Sequence, residues 1–283
     1  MSGKVYLVGA GPGDPELLTL KAVKLLKSAD VVLHDELIGP DVLQFVSPNA
    51  RVRSVGKRCG RVSITQSEIN TLLVNYALLD LQVVRLKGGD PLIFGRGGEE
   101  IEALRKAKID FEIVPGVTTA LGGAAVAQIP LTHRDSASSL ILLTGHSKTD
   151  QPPEWPANVP VTATVVVYMP GYDYQNTMRH LLAAGVGPAT PCAILSNATT
   201  PQQETYCTTL DSLPNAPRLP SPTILVVGEV VRHARPLERP TDASICEWES
   251  PEGMAFFPPA HIPAADLLEM QGTQYATNKE RPE

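Results

Sequence analysis

Two glycine-rich turns and one isolated acid are the places in this sequence where chemistry could be done. Gly9-Ala-Gly-Pro-Gly-Asp14 follows the apolar run Val5–Val8, Gly88-Gly89-Asp90 follows Val83–Leu86, and Asp35 follows Val31–Leu33. Glycines let a backbone approach a ligand closely, and the carboxyl ends of parallel strands are where ligands bind. The plainer readings are tight turns, and for Asp35 a helix or turn cap. The first loop has the spacing of a dinucleotide site, with Asp35 standing where a ribose-binding acid would be. Its third glycine position, however, is Asp14, whose charge would repel a pyrophosphate. Pro12 and Pro15 also remove amide donors from a phosphate nest. A phosphate-free ligand meets neither obstacle, so an NAD(P)-dependent oxidoreductase is the weaker alternative.

These turns need elements to hold them. Asp14-Pro15-Glu16 predicts a helix start, continued by Leu18, Ala22, Leu25, Leu26 and Ala29 at helical spacing. Thr65-Gln-Ser-Glu68 predicts a capping box, with Ile69, Leu72, Leu73 and Tyr76 on one face. Glu99–Lys106 predicts a helix and Phe111–Val114 a strand. This alternation predicts an α/β fold with a largely parallel sheet. Beyond Pro115-Gly116 the texture changes. Thr118–Ala127 and Asp173–Ala184 predict helices, and Leu140–Leu143, Thr164–Tyr168, Cys192–Leu195, Thr205–Thr209 and Thr223–Val227 predict strands. Fewer helices per strand point to a second α/β domain with a mixed sheet. The expected division is 1–115, 116–236 and a poorly ordered, proline-containing acidic tail over 237–283.

Charge and composition exclude several functions. The chain has 283 residues and a net charge of −6, which argues against an all-over nucleic-acid binder. Residues 233–283 hold four basic and nine acidic side chains, and residues 1–232 hold twenty and twenty-one, so the acidity belongs to the tail. The densest basic run is Arg51-Val-Arg-Ser-Val-Gly-Lys-Arg-Cys-Gly-Arg61, with five cations and no acid. The four cysteines lie far apart without C-x-x-C spacing, as expected of cytoplasmic thiols and not of a disulfide frame or a metal site. No secretory signal is evident, and no stretch approaches the ~18 apolar residues needed to span a membrane.

Five blocks taken together carry a resemblance. They are Val8-Gly-Ala-Gly-Pro-Gly-Asp-Pro-Glu-Leu-Leu-Thr-Leu-Lys-Ala22, Arg85-Leu-Lys-Gly-Gly-Asp-Pro-Leu-Ile-Phe-Gly-Arg-Gly-Gly-Glu-Glu100, Val114-Pro-Gly-Val-Thr-Thr-Ala120, Ile129-Pro-Leu-Thr-His-Arg-Asp135 and Ala198-Thr-Thr-Pro-Gln-Gln203. In order and spacing, over residues 3 to 231, the chain resembles the tetrapyrrole (corrin/porphyrin) methylase family, in its uroporphyrinogen-III C-methyltransferase branch. The resemblance implies two α/β domains with the active site in the cleft between them, and a homodimer. It implies transfer of two methyl groups from S-adenosylmethionine to carbons 2 and 7 of uroporphyrinogen III. The products would be precorrin-2, a precursor of sirohaem and cobalamin, and S-adenosylhomocysteine. Without a further module before residue 1, the chain is not expected to be a whole sirohaem synthase.

The resemblance also assigns residues. Pro12, Gly88, Gly89, Asp90, Ile93, Thr118, Thr119, Met169 and Ala198 are expected to contact the methyl donor. For Met169 the plainer alternative is core packing. Asp35 is expected to accept a proton and Lys57 to donate one. The substrate carries eight carboxylates, so Arg58, Arg61, Lys87, Arg96, His133 and Arg134 are expected to bind it. Two positions depart from the family pattern: Thr119 stands where alanine is common, and Val62 replaces a common histidine. Within the same family, a methylase of a later corrin intermediate is the nearer alternative, and a non-catalytic tetrapyrrole carrier is a third.

Overall fold

The computed structural model describes residues 3–56, 64–146 and 154–234, all within one compact unit. The first half contains strands β1 (Lys4–Gly9), β2 (Val31–His34), β3 (Arg51–Ser54), β4 (Val83–Lys87) and β5 (Asp110–Val114). Between them lie helices α1 (Leu20–Ser28), α2 (Pro40–Leu43), α3 (Gln66–Leu78) and α4 (Gly97–Lys106). The strands form one sheet in the order β3-β2-β4-β1-β5, and every pairing is parallel. Parallel sheets are stable when both faces are covered. Here Val5, Leu7, Val31 and Leu33 pack with Leu73 of α3 and Ile101 and Leu104 of α4. On the other face Val8, Val32 and Val84 pack with Ala22 and Leu26 of α1.

The second half contains α5 (Thr119–Val126), β6 (Ser139–Thr144), β7 (Ala163–Tyr168), α6 (Tyr174–Ala183), β8 (Pro191–Ser196), β9 (Glu204–Thr209) and β10 (Thr223–Val227). Its sheet runs β6-β7-β10-β8-β9. Only β6 and β7 pair in parallel; β10 runs antiparallel to β7 and β8, and β8 to β9. The expected mixed sheet is therefore present. Strand alternation on β7 sorts the core. Val165 and Val167 face α6 through Leu181, whereas Val166 and Tyr168 face α5 through Ala120 and Ala124. No helix among the described residues is long and apolar enough to cross a membrane.

The capping box at α3 forms as expected, with Thr65 Oγ1 accepting from Glu68 N and the Glu68 carboxylate accepting from Thr65 N. The helix expected from Asp14 onward does not run unbroken. Asp14 caps only a short 3-10 turn, Pro15–Leu17. The chain then extends through Thr19, whose hydroxyl accepts from Ala22 N and starts α1 afresh. A second N-cap oxygen five residues after the first makes this break possible. Part of the basic run, Arg51–Ser54, is an exposed edge strand. Residues 57–63, with Lys57, Arg58, Arg61 and Val62, and the tail from 235 lie outside the described residues.

Candidate active site

The chain leaves β1 toward β2 and leaves β4 toward β5, in opposite directions along the sheet. Ligands bind at such a reversal. The turns that follow these two strands lock together there. Gly11 and Gly89 exchange backbone hydrogen bonds, 3.2 Å from Gly11 N to Gly89 O and 2.7 Å in return. A Cβ on Gly9 would lie 2.5 Å from Gly116 N, so side chains are excluded where these backbones cross. Asp90 completes the crossing, accepting from Leu92 N at 2.8 Å and from Gly116 N at 3.1 Å. In the first loop Gly11 N is committed to Gly89, and Asp14 N donates to Thr199 Oγ1 at 3.0 Å. Those amides are not available as a phosphate nest.

Above this crossing lies a cavity of about 930 Å³. Pro12, Gly88, Gly89, Asp90, Ile93, Thr118, Thr119, Met169 and Ala198 all line it, together with Asp35. The lining comes from both halves of the chain: turns after β1, β2 and β4, the start of α5, and the ends of β7 and β8. Gly88 is the informative glycine. Its φ is not left-handed, and a Cβ built on it would meet no protein atom within 4 Å. Neither strain nor packing within the protein demands glycine there, and the missing side chain leaves this part of the lining open. Met169 is 47% exposed, so the core-packing alternative does not hold. Met169, Phe94, Asn197 and Thr199 all have left-handed φ, between 47° and 67°, and all line the cavity. Such backbone costs energy in non-glycine residues and collects at functional sites.

Asp35 does not cap a helix. Its carboxylate pairs with the Arg85 guanidinium, which also donates to the carbonyl oxygens of Leu33 and Leu86, both at 3.3 Å. Behind it is a buried chain of charge. Arg85 Nε lies 3.0 Å and Lys87 Nζ 3.1 Å from Glu100 Oε1, and Gln66 Nε2 donates to the same oxygen at 3.2 Å. Burial works against the Arg85 charge, but the Asp35 and Glu100 carboxylates outweigh it and hold its pKa above the ordinary value. Burial, with the Arg85 charge beside it, pulls Lys87 below its ordinary value although Glu100 opposes this. Asp35 thus faces the cavity with the Arg85 guanidinium holding its carboxylate from behind.

Among the described residues, the expected substrate-binding cations do not gather with these residues. Lys87 is buried against Glu100 and does not line the cavity. Arg96 is exposed and bridges to Glu99 at 2.7 Å. His133 stacks on His233 with ring centroids 5.0 Å apart, and Arg134 is exposed in the same turn. Among the described residues the charged lining is wholly acidic: Asp14, Asp35, Asp41 and Asp90. The sequence reading also missed cavity residues, including Tyr168, Phe94, Leu37 and Asn197, as well as Arg85 and Glu100 behind Asp35. Two cations alternating in the apolar strand Val83–Lys87 were a usable signal for Arg85, whereas nothing local marked Tyr168.

Comparison with known proteins places this architecture. The model of the Tetrapyrrole (Corrin/Porphyrin) Methylases matches residues 4–214. Siroheme synthase 2 of Aeromonas hydrophila subsp. hydrophila is 47% identical over 231 residues, covering 81% of this chain and 49% of that protein. The siroheme synthase of Nitrosomonas europaea is 47% identical over 235 residues, covering 82% and 50%. The crystal structure of uroporphyrin-III C-methyltransferase from Thermus thermophilus complexed with S-adenyl homocysteine superposes with a TM-score of 0.71 at 39% identity, covering 81% of this chain and 94% of that one. The chain belongs to the tetrapyrrole (corrin/porphyrin) methylase family. It spans about half the length of the curated siroheme synthases it matches.

Proposed function

We propose that this protein is an S-adenosylmethionine-dependent uroporphyrinogen-III C-methyltransferase that forms precorrin-2 and S-adenosylhomocysteine. The observation that carries this reading is the cavity. Nine positions expected at a methyl donor, scattered from Pro12 to Ala198, line one space with Asp35. The cavity also suits the ligand. Open volume over Gly88 admits close approach, and an acidic lining favours a sulfonium over a phosphate. Bound there, S-adenosylmethionine supplies an electrophilic methyl group.

The chain's own residues do the rest. The locked turns after β1 and β4 and the start of α5 hold the donor in line with the macrocycle carbon, an effect worth up to ~7–11 kcal/mol when alignment is ideal. Methylation of a macrocycle carbon would leave a proton that the macrocycle must lose. Asp35 accepts it while Arg85 holds the carboxylate in place. Lys57 is the proposed proton donor. The carboxylates of the substrate call for cations that the described lining does not contain, and Arg58 and Arg61 are the proposed source. We read 1–115 and 116–236 as two domains that share the cavity. A cytoplasmic location follows the cysteine usage. A homodimer is proposed as well, supported by Leu121 and Val126 standing exposed on α5.

The test is anaerobic incubation with uroporphyrinogen III and S-adenosylmethionine, followed by mass analysis. The expected product is heavier by two methyl groups. Absence of methyl transfer would overturn the proposal, and transfer only to a later corrin intermediate would move the protein to another branch of the family.

A further inference from the structure

Arg85 divides its guanidinium between two carboxylates. A guanidinium carries five N–H donors in a planar fork, and the edge made by Nε and Nη2 matches both oxygens of one carboxylate. Here that edge is split. Nε donates to Glu100 Oε1 at 3.0 Å, and Nη2 donates to Asp35 Oδ1. The remaining nitrogen, Nη1, is held by the carbonyl oxygens of Leu33 on β2 and Leu86 on β4. Fixed at Nε and Nη1, the planar fork has one direction left in which to aim Nη2.

Glu100 supports this division at a cost to itself. It is fully buried in the first turn of α4. Its Oε1 takes three donors, from Arg85, from Lys87 at 3.1 Å and from Gln66 at 3.2 Å, while its buried Oε2 has no partner. A buried acceptor left without a donor is destabilising and calls for an explanation. Pairing side-on with Arg85 would satisfy Oε2, but it would take Nη2 away from Asp35. The converse pairing, Asp35 side-on with Arg85, would occupy both Asp35 oxygens. Neither occurs. Asp35 meets Arg85 through Oδ1 alone, and its Oδ2 has no donor among the described residues.

We infer that Glu100 is a positioning residue for the reaction: by holding Arg85 Nε it keeps the guanidinium from closing side-on around Asp35, and so leaves Asp35 Oδ2 open as the oxygen that takes the proton. This rests on the proposed methyltransferase reading with Asp35 as proton acceptor. It adds a buried residue that does not line the cavity and acts through Arg85.

The test compares the wild type with Glu100→Met, Glu100→Gln, Asp35→Asn and the Met/Asn double variant. Steady-state kinetics give kcat and both KM values, and calorimetry gives the Kd of S-adenosylhomocysteine. Methionine offers Nε no comparable acceptor, so Arg85 can close on Asp35. In Glu100→Met kcat should fall about tenfold or more, with the Kd of S-adenosylhomocysteine unchanged. Glutamine keeps an accepting oxygen at the same reach, so Glu100→Gln should recover much of that loss. In the Asp35→Asn background, Glu100→Met should change kcat by less than about twofold, because both substitutions remove one device. A crystal structure of the wild type checks the geometry without any variant, and decides the matter alone if the variants do not fold. Nε on Glu100 and Nη2 on a single Asp35 oxygen is the expected arrangement.

A side-on Arg85–Asp35 pair in that crystal would overturn the inference. So would unchanged kcat in Glu100→Met, fully additive losses, or a weaker Kd in step with kcat, which marks general distortion of the fold. A fall in Asp35→Asn with none in Glu100→Met removes only this inference. Unchanged kcat in Asp35→Asn removes Asp35 from the mechanism and this inference with it, and a wild type that transfers no methyl group removes the methyltransferase reading itself.

Discussion

Asp35 and Lys87 stand at the two ends of one chain of paired charges, the first half-buried and the second buried. Asp35 is the cavity end of the chain Asp35–Arg85–Glu100–Lys87. Replacing it with asparagine keeps the shape and removes the proposed proton acceptor. Asp35→Asn should lower kcat by about 10²–10⁴-fold, with the Kd for S-adenosylhomocysteine unchanged. Unchanged turnover would remove Asp35 from the mechanism. At the other end, Lys87 carries its charge at a cost, because its pKa is pulled below the ordinary 10.5 mainly by burial. In the window between its lowered pKa and 10.5 the unfolded chain binds more protons than the folded one, so this group makes stability rise with pH. Denaturant midpoints measured from neutral pH upward should show that rise, and Lys87→Met should lack it. Glu100 joins the two ends. Glu100→Ala leaves two buried cations with one fewer partner and should cost about 3–5 kcal/mol in a urea titration.

At the scale of elements, two glycines on neighbouring turns should respond in opposite ways. A Cβ at Gly9 runs into the backbone of Gly116, which cannot yield as a flexible side chain would. Gly9→Ala should cost about 1–3 kcal/mol of stability as overpacking, seen as a lower melting temperature. A Cβ at Gly88 meets nothing in the protein. Gly88→Ala should melt like the wild type yet bind S-adenosylhomocysteine more weakly. Equal binding by Gly88→Ala would show that the donor does not approach this turn. These turns were legible in the sequence because glycine, proline and acid patterns are local. Most strands and helices were legible for the same reason, since their apolar spacing is set within one element. The exposed strand Arg51–Ser54 was not, having no buried face to impose alternation. The break before α1 was missed because Asp14 and Thr19 are both sound caps, and their competition is settled only in three dimensions. Arg85 and Asp35 are fifty residues apart, and Tyr168 reaches Thr118 across the same separation. No local pattern encodes such partners.

Across the whole molecule, charge is separated along the chain. The described cavity lining is acidic, the run 51–61 is basic and the last fifty or so residues are acidic again. Such an arrangement can admit a cationic donor and an anionic macrocycle to one site if their charges are met in different places. It also bears on what the tail contributes. The family match ends at residue 214, and the described fold reaches 234. Catalysis should therefore survive removal of residues 240–283, with kcat and both KM values unchanged; a fall in rate would show that the tail enters the active site. Solubility should not survive equally. Residues 1–239 hold twenty-two basic and twenty-two acidic side chains, so the truncated chain has no net charge. Proteins near zero net charge associate more readily. The truncated enzyme is expected to be fully active when dilute and to precipitate at lower concentration near neutral pH, with recovery on moving the pH either way. Light scattering across pH separates this outcome from misfolding, since a misfolded chain would lose activity at every concentration.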